Sequence, residues 1–174
     1  MKQMIKLGLC AAVLMGMTGC MKMRTDTKAP VLEADSVPKL YMKQSLVVRN
    51  AAKDVDQEEI GDWIGWTVYG DLHDYTDSAV EATIDILKKQ GIKIGDGGKV
   101  LDLCVTDALS EQGAWKFRAT VTMTVKTGSG LSKKYIGEKG HGNGYSTSSA
   151  MEMAMGQCVM KMLNDEEIIA YLQN

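Results

Sequence analysis

The stretch Trp115-Lys-Phe-Arg-Ala-Thr-Val-Thr-Met-Thr-Val-Lys126 alternates apolar and polar side chains from one end to the other. A period of two is typical of a β-strand that buries one face, because successive side chains of a strand point to opposite sides. The glycines of the following segment, residues 128–130, predict a turn into another strand near 133–138. The sequence therefore predicts an antiparallel hairpin with one buried and one solvated face.

Further strands and helices are predicted on both sides of this hairpin. Residues 45–50 are rich in β-branched side chains, and residues 100–106 are apolar on both faces, which is typical of an inner strand. Capping boxes at 78–81 and 149–152 predict helices that end near residues 90 and 163, because the serine and glutamate side chains of each box satisfy backbone donors. A short final helix should follow the second of them.

The order of these elements predicts an α+β fold. The expected sheet is small, antiparallel or mixed, and has about four strands. Both main helices should pack on one face of it, because the hairpin shows a single buried face. Residues 41–174 are numerous enough to form one domain with its own core.

The start of the chain is typical of a bacterial export signal. Two lysines precede the apolar residues 7–17, a stretch too short to span a bilayer comfortably. The tetrapeptide Met-Thr-Gly-Cys at 17–20 follows and resembles the lipobox of bacterial lipoproteins. The pattern predicts removal of residues 1–19 and acylation of Cys20 with fatty acids such as palmitate, and two or more acyl chains give stable anchoring.

The segment after Cys20 is expected to be a tether. Residues 20–40 contain two prolines among charged and small residues and show no apolar periodicity. The predicted organisation is therefore a signal at 1–19, a lipidated tether at 20–40 and a single periplasmic domain at 41–174. Methionine rather than aspartate at position 21 favours the outer membrane, with the domain facing the periplasm.

The charge of the mature chain limits its partners. Removal of the signal takes Lys2 and Lys6, which leaves 18 basic against 22 acidic residues and a net charge of about −4. An acidic chain is poorly suited to nucleic acid, whose phosphates attract basic surfaces. Acyl chains rather than charge should therefore make the membrane contact.

The layout of the chain resembles that of one family. A lipobox, a short strand, a helix ending in Lys-Gln-Gly-Ile-Lys-Ile at 89–94, a Thr/Val hairpin and a closing helix through Leu-Asn-Asp at 163–165 are similar to the YajG-type periplasmic lipoproteins. The same layout occurs in the lipopolysaccharide-assembly lipoprotein LptE and in the N-terminal domain of TolB. The resemblance covers most of residues 45–172 and implies an envelope auxiliary module of α+β fold, without naming an activity.

Two groups of side chains are candidates for partner contact or for a covalent link. Trp63, Trp66 and Tyr69 recur at every third position. They could serve as anchors at a protein interface, or they could cover the end of the sheet as part of the core. Cys104 and Cys158 could form a disulfide in an oxidising compartment. If Leu101, Leu103 and Val105 face the helices, however, the Cys104 thiol points to the opposite face and the bridge cannot form.

A methionine-rich helix and a glycine-rich segment are candidates for ligand binding. Met151, Met155, Cys158 and Met162 share one helix face, which could bind a soft metal such as Cu(I) or could simply pack in the core. Residues 137–144 contain four glycines but lack the Lys-Ser or Lys-Thr pair of a phosphate-binding loop. We expect core packing and a flexible turn, with no metal and no cofactor.

An acidic cluster surrounds one of the two histidines. Asp71, His73, Asp74 and Asp77 could bind a divalent ion or take part in acid/base chemistry. Their spacing matches no ligand motif, and acidic side chains are favoured at a helix N-terminus. The sequence contains no nucleophile elbow, so we expect a capping role and no catalytic residues.

These observations together predict a non-enzymatic envelope lipoprotein. It would act as a membrane-tethered interaction, assembly or transport-auxiliary module that binds an envelope protein. A small-ligand or soft-metal-binding lipoprotein is the first alternative, and a hydrolase is the second.

Overall fold

The computed structural model describes residues 21–53, 57–63, 66–112, 117–141 and 147–174. These residues form a seven-stranded mixed sheet and three α-helices. The strands are β1 (Met21–Arg24), β2 (Leu46–Asn50), β3 (Glu58–Trp63), β4 (Trp66–Gly70), β5 (Lys99–Gln112), β6 (Phe117–Thr127) and β7 (Ser132–His141). The helices are α1 (Leu72–Lys89), α2 (Thr147–Leu163) and α3 (Glu166–Gln173), and a 3-10 turn spans Ala34–Ser36.

The alternating stretch forms β6 from Phe117 onward, while residues 115–116 lie outside the described residues, and the predicted hairpin with β7 is confirmed. The two strands are antiparallel, with Met123 opposite Tyr135. Gly130 has a φ of 91° in the turn between them, a conformation that glycine adopts without steric cost. β7 extends to His141, so the first part of the glycine-rich segment is strand rather than turn, and residues 142–146 lie outside the described residues.

β5 is the longest strand and lies at the centre of the sheet. It pairs with β6 in antiparallel orientation, with a bulge between Val105 and Asp107. On its other side it pairs in parallel with β2 along its first half and with β3 near its end. A Cβ at Gly61 would overlap the carbonyl oxygen of Ser110, so glycine is required for β3 to approach β5 this closely.

The expected number of strands was too small. Strands β1, β3 and β4 join the sheet in the order β1-β4-β3-β5-β6-β7. β3 carries the acidic pair Glu58 and Glu59 and a bulge between Glu59 and Gly61, so its sequence does not alternate apolar and polar residues. Pairing with β4 and β5, rather than its own hydrophobic pattern, places this segment in the sheet.

Residues 21–40 pack against the domain, which corrects the expectation of a free tether. Met21–Arg24 forms β1, and Leu40 near the other end of the segment is 2% exposed. The side chain of Gln90 accepts from the Leu40 amide at 3.1 Å and donates to the Pro38 carbonyl at 3.1 Å. Isolated apolar residues at wide spacing hold the segment, and such spacing has no periodicity to read in the sequence.

Helix α1 begins six residues before the serine of the predicted capping box. Asp71 is the N-cap, and its carboxylate accepts from the amides of His73 at 2.9 Å and Asp74 at 3.3 Å. Ser78 lies buried inside the helix, 3.3 Å from the hydroxyl of Thr27. The predicted end is confirmed, because Gly91 follows the helix with a φ of 84°.

Both main helices pack on one face of the sheet. On β5 the residues of this face are Leu101, Leu103 and Val105, each at most 1% exposed. The helices bury large side chains against them: Ile86 and Leu87 from α1, and Met151, Met155, Cys158 and Met162 from α2. The expected short final helix follows as α3, and Asp165 is its N-cap. Among the described residues, none of the helices combines the length and the apolar character needed to cross a membrane.

Candidate functional surfaces

The predicted acylation site lies next to the sheet. Cys20 is outside the described residues, which begin with Met21. β1 starts at Met21 and runs parallel to β4, so that Met21 pairs with Trp66. β3 runs antiparallel to β4, and its last residue, Trp63, also pairs with Trp66. Only one peptide bond therefore separates Cys20 from the sheet, at the end where these two tryptophans lie.

Trp63, Trp66 and Tyr69 do not share one face. A spacing of three places residues on the same side of a helix, but it points them to opposite sides of a strand. Trp66 lies on the face of buried Val68, whereas Tyr69 lies on the other face, where Lys22 Nζ is 5.2 Å from its ring centroid. Trp66 and Tyr69 are both half-buried. A single aromatic interface built on the three-residue spacing is therefore not what β4 presents.

The acidic cluster sits at the start of α1. One ligand atom from each of His73, Asp74 and Asp77 lies within 4.8 Å of the others. His73 Nδ1 is 3.5 Å from Asp77 Oδ2, and Asp71 is occupied as the helix cap. The cluster is solvated, because the side chains of Asp74 and Asp77 are 50% and 57% exposed.

The same carboxylates connect α1 to two strands. Arg24 Nη2 donates to Asp74 Oδ2 at 3.0 Å, which joins α1 to β1. Asn50 Nδ2 donates to Asp77 Oδ1 at 2.7 Å and to the His73 carbonyl at 3.1 Å, which joins it to β2. These contacts give the cluster a structural role at the helix N-terminus, where acidic side chains are electrostatically favoured.

Cys104 and Cys158 are both free thiols on opposite sides of the sheet. Cys104 alternates with buried Leu103 and Val105, so its side chain points away from the helices, and burial raises the pKa of its thiol. Cys158 lies on α2, and its thiol donates to the Val121 carbonyl at 3.3 Å. Because β5 and β6 lie between the two side chains, these two cysteines cannot form the disulfide that the sequence left possible.

The methionine stripe of α2 lies in the core. Met151, Met155, Cys158 and Met162 are each at most 1% exposed. Burial raises the pKa of the Cys158 thiol to about 11, which keeps it in the protonated form that binds metals poorly. Met153 lies on the other side of the helix, in a shallow groove with Pro30 and Leu32.

The outer edge of β7 is covered by side chains of α2. Gln157 Oε1 accepts from the Glu138 amide at 3.2 Å, and Lys161 Nζ donates to the Ile136 carbonyl at 2.6 Å. These backbone groups would otherwise be free to pair with another strand. Sequence analysis missed this pair of side chains, because their partners are backbone atoms of a different element.

The sheet face opposite the helices is uncovered in the described residues. Leu109 of β5 and Ile136 of β7 are each 42% exposed on this open face, on either side of β6. Thr120 is opposite Leu109, and Thr122 is opposite Ile136, so hydroxyl-bearing side chains fill the space between them. Charged side chains surround this centre: Asp107, Glu111, Arg118, Lys134 and Glu138.

A polar contact joins β7 to α3. Tyr135 donates to Asp165 Oδ2 at 3.0 Å, and Lys133 Nζ lies 3.5 Å from the same oxygen and 2.8 Å from Glu167 Oε2. Burial alone would raise the pKa of Asp165, but hydrogen bonds from Tyr135 and from the Glu167 and Ile168 amides, with the charge of Lys133, lower it. Burial and the bond to Asp165 raise the pKa of Tyr135.

Comparison with known proteins gives a distant structural likeness. No family model and no curated protein matches the chain. Among solved structures, the chain is similar to the crystal structure of a "putative lipoprotein from Caulobacter crescentus CB15", with 15% sequence identity and a TM-score of 0.30. The match covers 58% of this chain and 80% of that chain. A similarity of this size carries no argument about function, which depends instead on this chain's own residues.

Proposed function

We propose that this chain is a non-enzymatic, lipid-anchored module of a bacterial envelope that works by binding a partner protein. The observation that carries the proposal is the position of Cys20, which follows the predicted export signal and directly precedes the first strand of the sheet. An acylated Cys20 would hold the folded domain against its membrane rather than at the end of a long tether. Methionine at position 21 favours the outer membrane, with the domain in the periplasm.

The polar groups that could have served catalysis support this proposal through their contacts. Asp71 caps α1, Asp74 pairs with Arg24, and Asp77 accepts from Asn50. Asp71 thus stabilises the start of α1, and Asp74 and Asp77 hold the helix to the sheet. We therefore assign the cluster to the scaffold and look for function on the molecular surface.

The open face is the partner surface that we favour. Strand addition at β7 is opposed by Gln157 and Lys161, which already bond its free backbone groups. The open face instead has an uncharged centre at Leu109 and Ile136 and a charged rim, which is the usual composition of a protein interface. Its two exposed aliphatic side chains would be the anchors.

Metabolic labelling with a fatty-acid analogue tests the anchor. We expect label on the wild-type chain and fractionation with the membrane, and loss of both in Cys20→Ser, because serine lacks the thiol that receives diacylglycerol. Cys104→Ser is the matched control and should be labelled like the wild type. Equal labelling of Cys20→Ser and wild type would contradict the anchor.

Site-specific photo-crosslinking in intact cells tests the partner surface. We expect a crosslinker at Leu109 or Ile136 to yield a discrete product of higher mass, and we expect a charge substitution on the same face, such as Thr120→Glu, to reduce the amount of that product. Val31 is the matched control, because it is 86% exposed and lies away from the open face, in the segment packed beside α2. Equal products from Val31 and the open face would overturn this assignment.

A further inference from the structure

Six strands begin or end at the end of the sheet next to Cys20. β1 and β4 begin there, with Met21 beside Trp66, and β3 ends there at Trp63. β5 runs parallel to β3, so its last residue, Gln112, lies at the same end of the sheet. Phe117, at the start of β6, pairs with Gln112 there. β7 ends there as well, because His141 pairs with Phe117. We call this end of the sheet the anchor end.

The anchor end also collects the largest aromatic residues of the chain. The sequence contains three tryptophans and one phenylalanine. Trp63, Trp66 and Phe117 occupy strand positions at the anchor end. Trp115 belongs to the four residues that connect Gln112 to Phe117 in the sequence, outside the described residues. The exposed tyrosine of the described chain, Tyr41 at 67%, precedes β2, which begins at the other end.

We propose that the anchor end lies in the interfacial layer of the bilayer that holds the acylated Cys20, with Trp66 as its lipid contact. The inference rests on the proposed acylation and adds to it an orientation and a second, non-covalent membrane contact. The occupant of this surface is the lipid headgroup region rather than another protein.

The length of chain at the anchor end supports a lipid occupant. Consecutive Cα atoms are about 3.8 Å apart, so acyl chains on Cys20 leave the protein within one residue of the β1–β4 pair. A free segment of twenty residues would have reached roughly 65 Å at about 3.3 Å per residue. As long as β1 stays paired with β4, the anchor end cannot move away from the membrane that the acyl chains enter.

The chemistry of the anchor end suits an interface of zwitterionic lipids. Tryptophan combines a large apolar ring with an N–H donor, and it is enriched where hydrocarbon meets headgroups. Charges of both signs lie nearby, Lys22 and Arg118 against Asp62 and Glu111, so attraction to anionic lipid is not the driving force. Contact through tryptophan should therefore persist at high salt.

Quenching of tryptophan fluorescence by brominated lipid tests the proposal. The acylated full chain is reconstituted in phosphatidylcholine vesicles with bromines on the acyl chains close to the headgroups, and flotation confirms that it is bound. We expect quenching relative to unbrominated vesicles, at low and at high salt. The variant Trp63→Phe/Trp115→Phe keeps Trp66 as its single tryptophan and should still be quenched. A chain with all three tryptophans replaced by phenylalanine and Tyr41→Trp added carries its single tryptophan at the other end of the sheet and should not be quenched.

The outcomes separate this inference from the anchor itself. A chain that carries no acyl group and does not float contradicts the proposed function. A chain that is acylated and floats, but whose tryptophan emission is the same with and without bromines, overturns the orientation alone. The wild-type measurement needs no substituted protein to fold, and circular dichroism checks that the variants do.

Discussion

Gly137 sets the distance between β7 and α2. A Cβ built at this position would overlap the carbonyl oxygen of Ala154 and would lie 3.1 Å from the Cys158 sulfur. The obstacle is backbone, which cannot turn aside as a flexible side chain can. The close approach lets Gln157 reach the amide of Glu138, so the protection of the β7 edge depends on this one glycine.

Gly137→Ala should therefore destabilise the protein by about 1–3 kcal/mol, the usual cost of overpacking. Gly140→Ala in the same strand is the matched control, because its nearest neighbour, the Phe117 carbonyl oxygen, would be 3.8 Å from the new Cβ. Urea denaturation of the two variants measures the difference. Equal free energies of unfolding would show that α2 does not approach β7 as closely as described.

Asp165 should make stability depend on pH in the acidic range. Its pKa is lowered in the folded protein, so its contribution is present above the unfolded value of about 3.9 and is lost as the pH falls through the folded value. Asp165→Asn should reduce the loss of stability between about pH 5 and pH 2, whereas exposed Asp35→Asn should leave it unchanged. Melting temperatures measured across this pH range test the prediction. If the melting temperatures of the wild type and Asp165→Asn fell in parallel as the pH is lowered, Asp165 would not be the source of the pH dependence.

At the scale of elements, α1 illustrates how a plausible local motif loses to tertiary structure. The capping box at 78–81 satisfies every local rule, yet Asp71 begins the helix and the box lies within it. One more turn and a half of helix lets Tyr75 and Thr76 pack inward, where the Thr76 hydroxyl accepts from the Val105 amide at 2.8 Å. Contact with β5 therefore extends the helix beyond its best local start.

Replacing the cap distinguishes the two helix starts. Asp71→Ala should cost about 1 kcal/mol, the usual contribution of an N-cap carboxylate. Glu81→Ala removes the reciprocal partner of the predicted capping box, but in the structure Glu81 is an exposed residue in mid-helix, so we expect little change. Chemical denaturation followed by circular dichroism measures both. A larger loss for Glu81→Ala would favour the start at Ser78.

At the scale of the whole molecule, residues 21–40 decide how far the domain stands from its membrane. They run from β1 along α1, and Val37 and Leu40 enter the core at 6% and 2% exposure. Thr25 closes the other end of the segment, with its hydroxyl 2.8 Å from the Tyr75 hydroxyl. A segment held at both ends cannot extend as a spacer without giving up these contacts.

Leu40→Ala tests whether this segment belongs to the folded domain. It should cost about 2–5 kcal/mol, as for other leucines truncated in a core. Val31→Ala, in the same segment but 86% exposed, should change stability by less than about 0.5 kcal/mol. Equal stability of the two variants, measured by urea denaturation, would instead support the prediction that this segment is a free tether.

The sequence by itself predicts those parts of the molecule whose pattern is local. Period-two alternation identifies β6, the turn glycines identify β7, and Gly91 marks the end of α1, since each depends on a few consecutive residues. The same alternation predicted that Cys104 points away from the helices if Leu103 and Val105 face them. The structure buries both of these residues, so the condition holds. The lipobox before Met21 is a pattern of the same kind, and acylation of Cys20 stays a prediction.

Only the tertiary structure decided which segments without such a pattern join the fold. β1 and β4 are only four and five residues long, and β3 does not alternate apolar and polar residues. Backbone pairing with strands distant in sequence, β1 with β4 and β3 with β5, holds them in the sheet. The aromatic residues show the consequence: their three-residue spacing suggests one patch, but strand geometry sends Trp66 and Tyr69 to opposite faces. The meeting of Met21, Trp63 and Trp66 at one end follows from pairing between strands, which no single stretch of sequence encodes.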